Sequence, residues 1–214
     1  MSASKQTEHH DVELVEPGSS EDAERADLWG LLALLFIAPP QQDVLSQLHG
    51  MLVDTEMENS TLQSAWCQLL RTAAATTPAQ VRDEFETLFG GTGRPAVYVY
   101  GSFYLAGALH EKPLARLRAD LQELGLTRRI DLGETEDHFA ILAETMRFLI
   151  NGDDPAVCTL SRQRDLFQRH IHPWGAQMCV TIEGDPSAHF YRALSVFTRE
   201  FLKVEQMAFD MFDY

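Results

Sequence analysis

The residues with the greatest potential for chemistry form one polar segment, residues 134–138 (ETEDH), directly before an apolar stretch. Two or three carboxylates beside the imidazole of His138 have the composition of a metal-ligand set or an acid–base pair. The same segment suits a helix start, with Thr135 as the cap and with Glu136 and Asp137 at the positive end of the helix dipole. We favour the helix start, because a metal needs further ligands and no other segment supplies them.

A second group of histidines, in residues 170–174 (HIHPW), has no acidic residue or cysteine beside it. We interpret it as a helix end that Pro173 terminates rather than as a metal site. Residues 90–93 (GGTG) are rich in glycine, but they follow a helical pattern and lack the lysine of a phosphate-binding loop. We therefore expect a helix stop there. The sequence contains no motif of a nucleotide-binding fold, a serine hydrolase or a zinc peptidase.

Four aromatic residues occur within one stretch of seven, namely Tyr98, Tyr100, Phe103 and Tyr104. Such a group usually belongs to a core. If part of it lines a groove, aromatic walls beside acidic residues suit an apolar peptide helix that carries arginines.

The charge of the chain is strongly negative, with 17 Lys and Arg against 32 Asp and Glu and a formal net charge of −15. A surface of this sign repels phosphate backbones and anionic lipid heads, so we expect neither nucleic acid nor a membrane surface as a partner. Residues 1–24 carry seven acidic residues and one lysine without a large apolar cluster. We expect them to form a disordered acidic tail that holds about −6 of the charge.

Targeting and redox features of the sequence indicate a cytoplasmic protein. Cys67, Cys158 and Cys179 lie far apart, which fits a reducing compartment and argues against structural zinc or a disulfide scaffold. The longest apolar run, residues 28–38 (LWGLLALLFIA), is too short to span a bilayer and follows acidic rather than basic residues. We interpret it as a buried first helix.

Apolar residues recur at three- and four-residue steps over most of the chain, which predicts an all-α fold. The segments with this spacing are residues 28–37, 44–52, 62–70, 81–89, 114–124, 139–150, 157–171 and 190–204. Pro78 suits a helix start, Gly125 suits a helix stop, and Asp154 with Pro155 suits the start of the helix that follows. Residues 96–100 and 178–182 have β-propensity but no hairpin partner, so we expect a loop and a helix start respectively.

Several segments, taken in order, resemble the TorD/DmsD family of cytoplasmic chaperones for molybdenum enzymes. They are residues 85–90 (FETLFG), 100–105 (YGSFYL) and 134–138 (ETEDH), with an opening helix that ends in Pro39-Pro40 and with Trp174 before a Phe190-Tyr191 terminal helix. The likeness covers about residues 25–210. The acidic motif of the family is usually E-P-x-D-H, and Thr135 stands here at the position of the proline.

The resemblance implies a compact bundle of two helical halves, joined by a hinge near residues 125–138, in a domain of residues 25–214. It implies no enzymatic activity and no cofactor. Members bind the twin-arginine signal peptide, and in some cases the body, of a molybdoenzyme catalytic subunit until its molybdopterin is inserted. The residues that match the family's peptide-binding segments are Phe85, Leu88, Phe89, Tyr100, Ser102, Tyr104, Glu134, Asp137 and His138. Homodimers formed by helix exchange also occur in the family.

The physical character of these segments agrees with that function, since a twin-arginine signal combines two guanidinium groups with an apolar stretch. Glu134, Glu136 and Asp137 offer carboxylates beside an aromatic segment, and His138 is expected to tune the site around neutral pH. Residues 98–150 most resemble members that serve formate dehydrogenases, with dimethyl sulfoxide or trimethylamine N-oxide reductase as the alternative client. Two other functions stay open: a small metal-dependent hydrolase that uses residues 134–138, and a helical adaptor for a cytosolic protein.

Overall fold

The computed structural model describes residues 20–51, 60–90, 94–127 and 133–211. The helices in these ranges are α1 (Ser20–Ile37), α2 (Gln42–Met51), α3 (Thr61–Ala74), α4 (Pro78–Leu88), α5 (Gly101–Ala106), α6 (Lys112–Glu123), α7 (Phe139–Asn151), α8 (Leu160–Leu166), a π-turn (Phe167–Ile171), α9 (His172–Gly184) and α10 (Phe190–Met211). Within the same ranges, β-structure is limited to one isolated bridge between Tyr100 and His138. The predicted all-α fold is confirmed. None of these helices combines the length and apolar character that a bilayer crossing requires.

The first helix lies at the centre of the core, where it packs most extensively against α7. Trp29, Leu32 and Phe36 are completely buried along one face of α1. The ring of Phe36 lies 5.0 Å from that of Phe139, the first residue of α7, in an edge-to-face arrangement. Burial of large aromatic side chains of this kind contributes most of the favourable free energy of such a core. The apolar run that the sequence assigns to a buried first helix therefore has that role.

The last helix, α10, closes the core by packing against α9, α3 and α4. Near its C-terminal end, Glu205 is 2% exposed and accepts two hydrogen bonds from the guanidinium of Arg25 in α1, at 2.8 and 2.9 Å. The indole N–H of Trp29 donates to the same carboxylate at 3.1 Å. A buried ion pair needs such complete hydrogen bonding, because both charges have lost their hydration.

The N-terminus of α10 receives its cap from another helix. The carboxylate of Glu84 in α4 accepts hydrogen bonds from the backbone N–H groups of His189, Phe190 and Tyr191, at 2.8, 3.0 and 2.7 Å. These N–H groups lack partners within α10, since the first turn of a helix leaves its donors free. Glu84 also places a negative charge at the positive end of the helix dipole. The contact therefore fixes α10 on α4.

The predicted helix ends at proline and glycine are mostly confirmed. Pro78 lies in the first turn of α4. The cap of this helix is Thr77, which forms a reciprocal capping box with Gln80. Gly125 follows α6 with a φ of 73°, a conformation that favours glycine. The start of α8 was predicted too early, however. Thr159 caps α8 by accepting from the N–H of Arg162 at 3.3 Å, while the carboxylate of Asp154 closes a separate turn.

The prediction that Pro173 ends a helix is wrong. The chain passes from α8 into α9 through the π-turn, and Pro173 lies in the first turn of α9. Proline cannot donate a hydrogen bond to the preceding turn, and the wider π geometry accommodates this loss. The indole N–H of Trp174 donates to the carbonyl oxygen of His170 at 2.6 Å, so this carbonyl keeps a partner.

The first segment with β-propensity takes its predicted form, whereas the second is helical as expected but does not start a helix, since α9 begins at His172. Residues 96–100 are a loop that runs into α5, and residues 178–182 lie within α9. At the N-terminus, α1 begins at Ser20, so the last residues assigned to the acidic tail are helical. Asp22 stabilises this first turn through an ion pair of 3.0 Å with Arg25. The rest of the tail, residues 1–19, and residues 128–132 of the predicted hinge lie outside the described residues.

Candidate functional site

Two segments that are far apart in the sequence meet at the entrance to α5 and α7. The backbone N–H of Gly101 donates to the carbonyl of Asp137 at 2.9 Å, and the N–H of Phe139 donates to the carbonyl of Val99 at 2.8 Å. These two bonds pair Tyr100 with His138 in an antiparallel bridge. We call the paired segments, residues 99–102 and 134–139, the junction.

The carboxylate of Asp137 holds the junction together. One of its oxygens accepts from the backbone N–H of Ser102 at 2.8 Å, and the other accepts from the hydroxyl of Thr135 at 2.6 Å. Asp137 is 3% exposed. Because Tyr100 makes no side-chain cap at the start of α5, Asp137 supplies the acceptor that this helix needs. Asp137 therefore positions the junction rather than facing solvent.

His138, and not Thr135, is the cap of α7. Its Nδ1 atom accepts a hydrogen bond from the backbone N–H of Ala140 at 3.1 Å, so the ring proton of the neutral imidazole resides on Nε2. Burial lowers the pKa of His138 to about 4, although the negative charges of Glu134 and Asp137 oppose this change. The expectation that His138 tunes the site around neutral pH is wrong, because the buried ring stays neutral there.

Glu134 is the carboxylate of the junction that keeps partial contact with solvent. The hydroxyl of Tyr100 donates a hydrogen bond to it, and the Tyr100 ring lies edge-on to His138 at 5.0 Å. Burial and the neighbouring Glu134 carboxylate raise the pKa of Tyr100 above its ordinary value. A carboxylate in this position can accept further donors from a ligand.

Glu136 is engaged by a residue that the sequence analysis did not identify. Nε and Nη2 of Arg118 in α6 both donate to one oxygen of Glu136, at 3.0 and 2.8 Å. Glu136 is buried while the Arg118 side chain is 48% exposed, so solvent weakens the pair. Nothing in the sequence near Arg118 distinguishes it from Arg116, the other arginine of α6. Its partner is evident only from the fold.

Ser102 and Tyr104 lie on α5 next to the junction. The Ser102 hydroxyl is buried without a hydrogen-bond partner among the described residues. Tyr104 is half-buried, donates to the carbonyl of Tyr98 at 2.9 Å and stacks on Trp174 at 5.5 Å between ring centroids. Gly101 permits this packing, since a Cβ atom there would lie 3.0 Å from the indole nitrogen of Trp174.

The three predicted apolar site residues of α4 and its end pack in or against the aromatic core. Leu88 is completely buried, whereas Phe85 and Phe89 are partly buried. The rings of Phe85 and Phe89 contact Tyr191 at 5.8 and 5.0 Å. Phe36 connects this group to the junction, because its ring contacts both Phe89 and Phe139. Of these three residues, Phe85 and Phe89 keep part of their surface accessible to a ligand.

The structure thus brings Tyr100, Ser102, Glu134, Asp137 and His138 into direct contact and places Tyr104 beside them. Among the described residues, no group of three or more His, Cys, Asp or Glu side chains is arranged to hold a metal ion. The acidic residues bond to backbone, tyrosine and arginine donors instead. The arrangement is therefore suited to binding hydrogen-bond donors at Glu134.

Comparison with known proteins agrees with this description. A solved structure, from Archaeoglobus fulgidus, is that of a candidate redox enzyme maturation protein. It shares the fold with a TM-score of 0.55 and 17% sequence identity, over 89% of this chain and 98% of the other. A Haemophilus influenzae protein, described as uncharacterized, is 28% identical over 170 residues, which cover 76% of this chain and 75% of that protein. The family model of the nitrate reductase delta subunit matches residues 55–180. Because this match spans more than half of its 214 residues, the chain belongs to the nitrate reductase delta subunit family, the TorD-like family that its sequence resembles.

Proposed function

We propose that this protein is a cytoplasmic maturation chaperone that binds the twin-arginine signal peptide of an exported molybdoenzyme, and its apo form, until the cofactor is inserted. Membership of the TorD-like family supports a role in redox enzyme maturation rather than catalysis. The fold shared with the candidate maturation protein agrees with this role. The client and the peptide site rest on the family resemblance and on the geometry of the junction.

The assignment of the peptide site rests on one observation. Glu134 is partly exposed, whereas the other two carboxylates of the junction, Glu136 and Asp137, are buried in contacts within the chain. Each oxygen of the buried Asp137 carboxylate accepts a hydrogen bond, one from Ser102 and one from Thr135, and Glu136 is paired with Arg118. An arginine of the signal peptide therefore binds Glu134, where its planar guanidinium can donate two hydrogen bonds. Asp137 and His138 act on this site by holding Glu134 and Tyr100 in place.

The apolar part of the signal peptide binds beside the junction on α5. Phe103 and Tyr104 are half-buried there, and Leu105 is 42% exposed. The rings of Phe103 and Tyr98 stack at 4.2 Å, which fixes their orientation before the peptide arrives. An apolar peptide helix next to two arginines matches an aromatic surface next to a carboxylate. Phe85 and Phe89 extend the apolar surface available to the client.

The client that the sequence favours is a formate dehydrogenase, with dimethyl sulfoxide or trimethylamine N-oxide reductase as the alternative. A direct test is calorimetric titration of the purified chain with the twin-arginine signal peptides of these enzymes and with versions that carry two lysines instead. We expect binding at micromolar concentrations, weakened by the lysine exchange because lysine cannot donate in the bidentate geometry.

The matched variants are Glu134→Gln and, as a control, Glu86→Gln on the exposed side of α4. Loss of one charge-assisted hydrogen bond, worth about 1.5–3 kcal/mol, weakens peptide binding by about tenfold or more in the first variant only. Equal binding by both variants, with unchanged denaturation curves, would refute the assignment of Glu134. If the chain binds the client enzyme without its signal peptide but binds neither the twin-arginine peptide nor its lysine version, the adaptor function is supported instead.

A further inference from the structure

A groove separate from the junction lies between α5 and α6 on one side and the π-turn and α9 on the other. Its volume is about 550 Å³. The apolar part of its lining consists of Leu105, Pro113 and Pro173. The polar part consists of Arg116, Asp120, Arg169 and His170. The groove therefore combines an apolar surface with two guanidinium groups.

The guanidinium groups of the groove have unused hydrogen-bond donors. Arg116 is exposed and makes no ion pair with another described residue. The Arg169 side chain is 60% exposed, and its nearest carboxylate oxygens, on Asp120 and Asp165, are 3.6 and 3.9 Å away. These distances are longer than a hydrogen bond. Arg169 is thus in loose ion pairs with Asp120 and Asp165, while the Asp120 oxygen lies closer to Nε2 of His170, at 2.7 Å. Arg169 therefore keeps N–H donors for an incoming carboxylate.

A segment of the same chain has the complementary composition. Residues 11–16 read DVELVE, in which the acidic Asp11, Glu13 and Glu16 alternate with Val12 and a Leu-Val pair. In an extended chain, successive side chains point to opposite sides, so the carboxylates of Asp11 and Glu13 face one way and the neighbouring apolar side chains the other. This pattern fits a groove with arginines along one edge and leucine and proline along the other.

The segment can also reach the groove. Arg25, near the start of α1, lies 3.5 Å from Gln163 in α8, and α8 continues directly into the π-turn that borders the groove. Gln163 and Arg169 are about 9 Å apart along a helix of this length. Ser20 lies about 7.5 Å from Arg25 along α1, which brings the helical path to about 17 Å. The seven residues that separate Glu13 from Ser20 span up to about 24 Å when extended. The tether is therefore long enough, and it keeps the segment at an effective concentration of roughly millimolar.

We propose that residues 11–16 bind in this groove of their own chain, with carboxylates on Arg116 and Arg169 and with apolar side chains against Leu105 and the prolines. Bound there, the segment neutralises the two guanidinium groups and keeps other acidic peptides out of the groove. The groove shares Leu105 with the surface proposed for the signal peptide, but Arg116 and Arg169 take no part in that peptide site. Replacing these two arginines therefore tests this proposal separately from the proposed function.

The test is competition between this segment and a fluorescent peptide of residues 8–18 added to the intact chain. In the variant Asp11→Asn/Glu13→Gln/Glu16→Gln the groove is unoccupied, so the peptide binds at least tenfold more tightly than to the unmodified chain. A control variant with three exposed acids removed elsewhere, Glu24→Gln/Glu86→Gln/Asp153→Asn, binds the peptide as weakly as the unmodified chain. Adding Arg116→Ser and Arg169→Ser to the first variant abolishes the binding.

A second measurement uses the unmodified chain alone. Lys112 precedes Pro113 and lies one helical turn before Arg116, so carbodiimide coupling should join Lys112 to residues 11–16 within a monomer. Mass spectrometry identifies this link, and 1 M salt should suppress it because the attraction is screened. Equal peptide affinity for the unmodified and neutralised chains, or a link found only between two chains, would overturn the proposal.

Discussion

The side-chain carboxylate of Asp137 accepts a hydrogen bond from the backbone N–H of Ser102 at 2.8 Å, across 35 residues of chain. The contact gives α5 the N-terminal acceptor that its own cap residue does not provide. It also places the acidic motif against the aromatic segment, so that two motifs of the family form one structural unit. The effect of a substitution at Asp137 on ligand binding is therefore expected to pass through this unit.

We predict that Asp137→Ala lowers the free energy of unfolding by about 2–3 kcal/mol. The substitution leaves the buried Ser102 N–H and the Thr135 hydroxyl without an acceptor, and hydrogen bonds to charged groups are worth about 1.5–3 kcal/mol. Urea denaturation measures the change. Asp153→Ala, at an exposed position, should change the stability by less than about 0.5 kcal/mol. Equal effects of the two substitutions would contradict the role of Asp137.

Removal of the Glu84 side chain should destabilise the protein more than removal of an ordinary helix cap. Glu84→Ala leaves three backbone N–H groups of α10 without acceptors, so we expect a loss of about 2–4 kcal/mol in chemical denaturation. Glu84→Gln keeps one acceptor oxygen and should lose less. Glu86→Ala, on the same helix and exposed, is the control. A stability of Glu84→Ala equal to that of the control would refute the cap.

Acid should destabilise the protein partly through His138. Its pKa in the folded state, about 4, lies below the ordinary value near 6.5, so the unfolded chain binds more protons between these two pH values. The stability that the neutral ring provides is complete above about pH 6.5 and decreases as the pH falls towards 4, by up to about 3 kcal/mol.

His138→Asn isolates this contribution, because asparagine caps helices well but does not titrate. We expect the stability difference between the unmodified chain and the variant to shrink by this amount between pH 7 and pH 4. Glu134 and Asp137, which face His138, are present in both proteins. Parallel curves of unfolding free energy against pH would show that His138 is not held neutral.

The ion pair between Arg25 and Glu205 should show strong coupling in a double-mutant cycle. The single variants of the cycle are Arg25→Met and Glu205→Leu. Glu205→Leu leaves the half-buried guanidinium and the Trp29 indole without their acceptor, with an expected loss of about 3–5 kcal/mol. The double variant Arg25→Met/Glu205→Leu removes both charges and should recover much of that loss. Additive effects in the cycle, measured by denaturation, would mean that the two residues do not act as a pair.

The sequence predicts a helix correctly where an apolar face coincides with a residue that favours a helix start or end. In α7, the apolar spacing predicts a helix from Phe139, where it begins, but the cap is His138 and not Thr135 as the polar segment suggested. At α8, the proline after Asp154 suggested an early start, but Thr159 made the better cap. At Pro173, the sequence indicates only that an ordinary helix cannot continue, and a π-turn satisfies the same constraint.

The candidate site could be predicted only in part from the sequence, because its side chains bond to partners that are remote along the chain. The composition of residues 134–138 indicated a polar site, but it did not show that Asp137 bonds to α5 or that Arg118 occupies Glu136. The sequence predicts three carboxylates at the site, but of these three the structure leaves only Glu134 accessible. The lowered pKa of His138 likewise follows from burial, which no local pattern reveals.

The ion pair that joins α1 to α10 has a consequence for the biosynthesis of the protein. Its two residues are 180 positions apart, so the ribosome makes Arg25 roughly 10–40 s before Glu205 at ordinary elongation rates. Phe36 has no cover from Phe139 until α7 is made, and Trp29 has no cover from Phe201 until α10 is made. Final closure of the core therefore waits for the synthesis of α10, and until then the nascent chain presents the kind of apolar surface that chaperones bind.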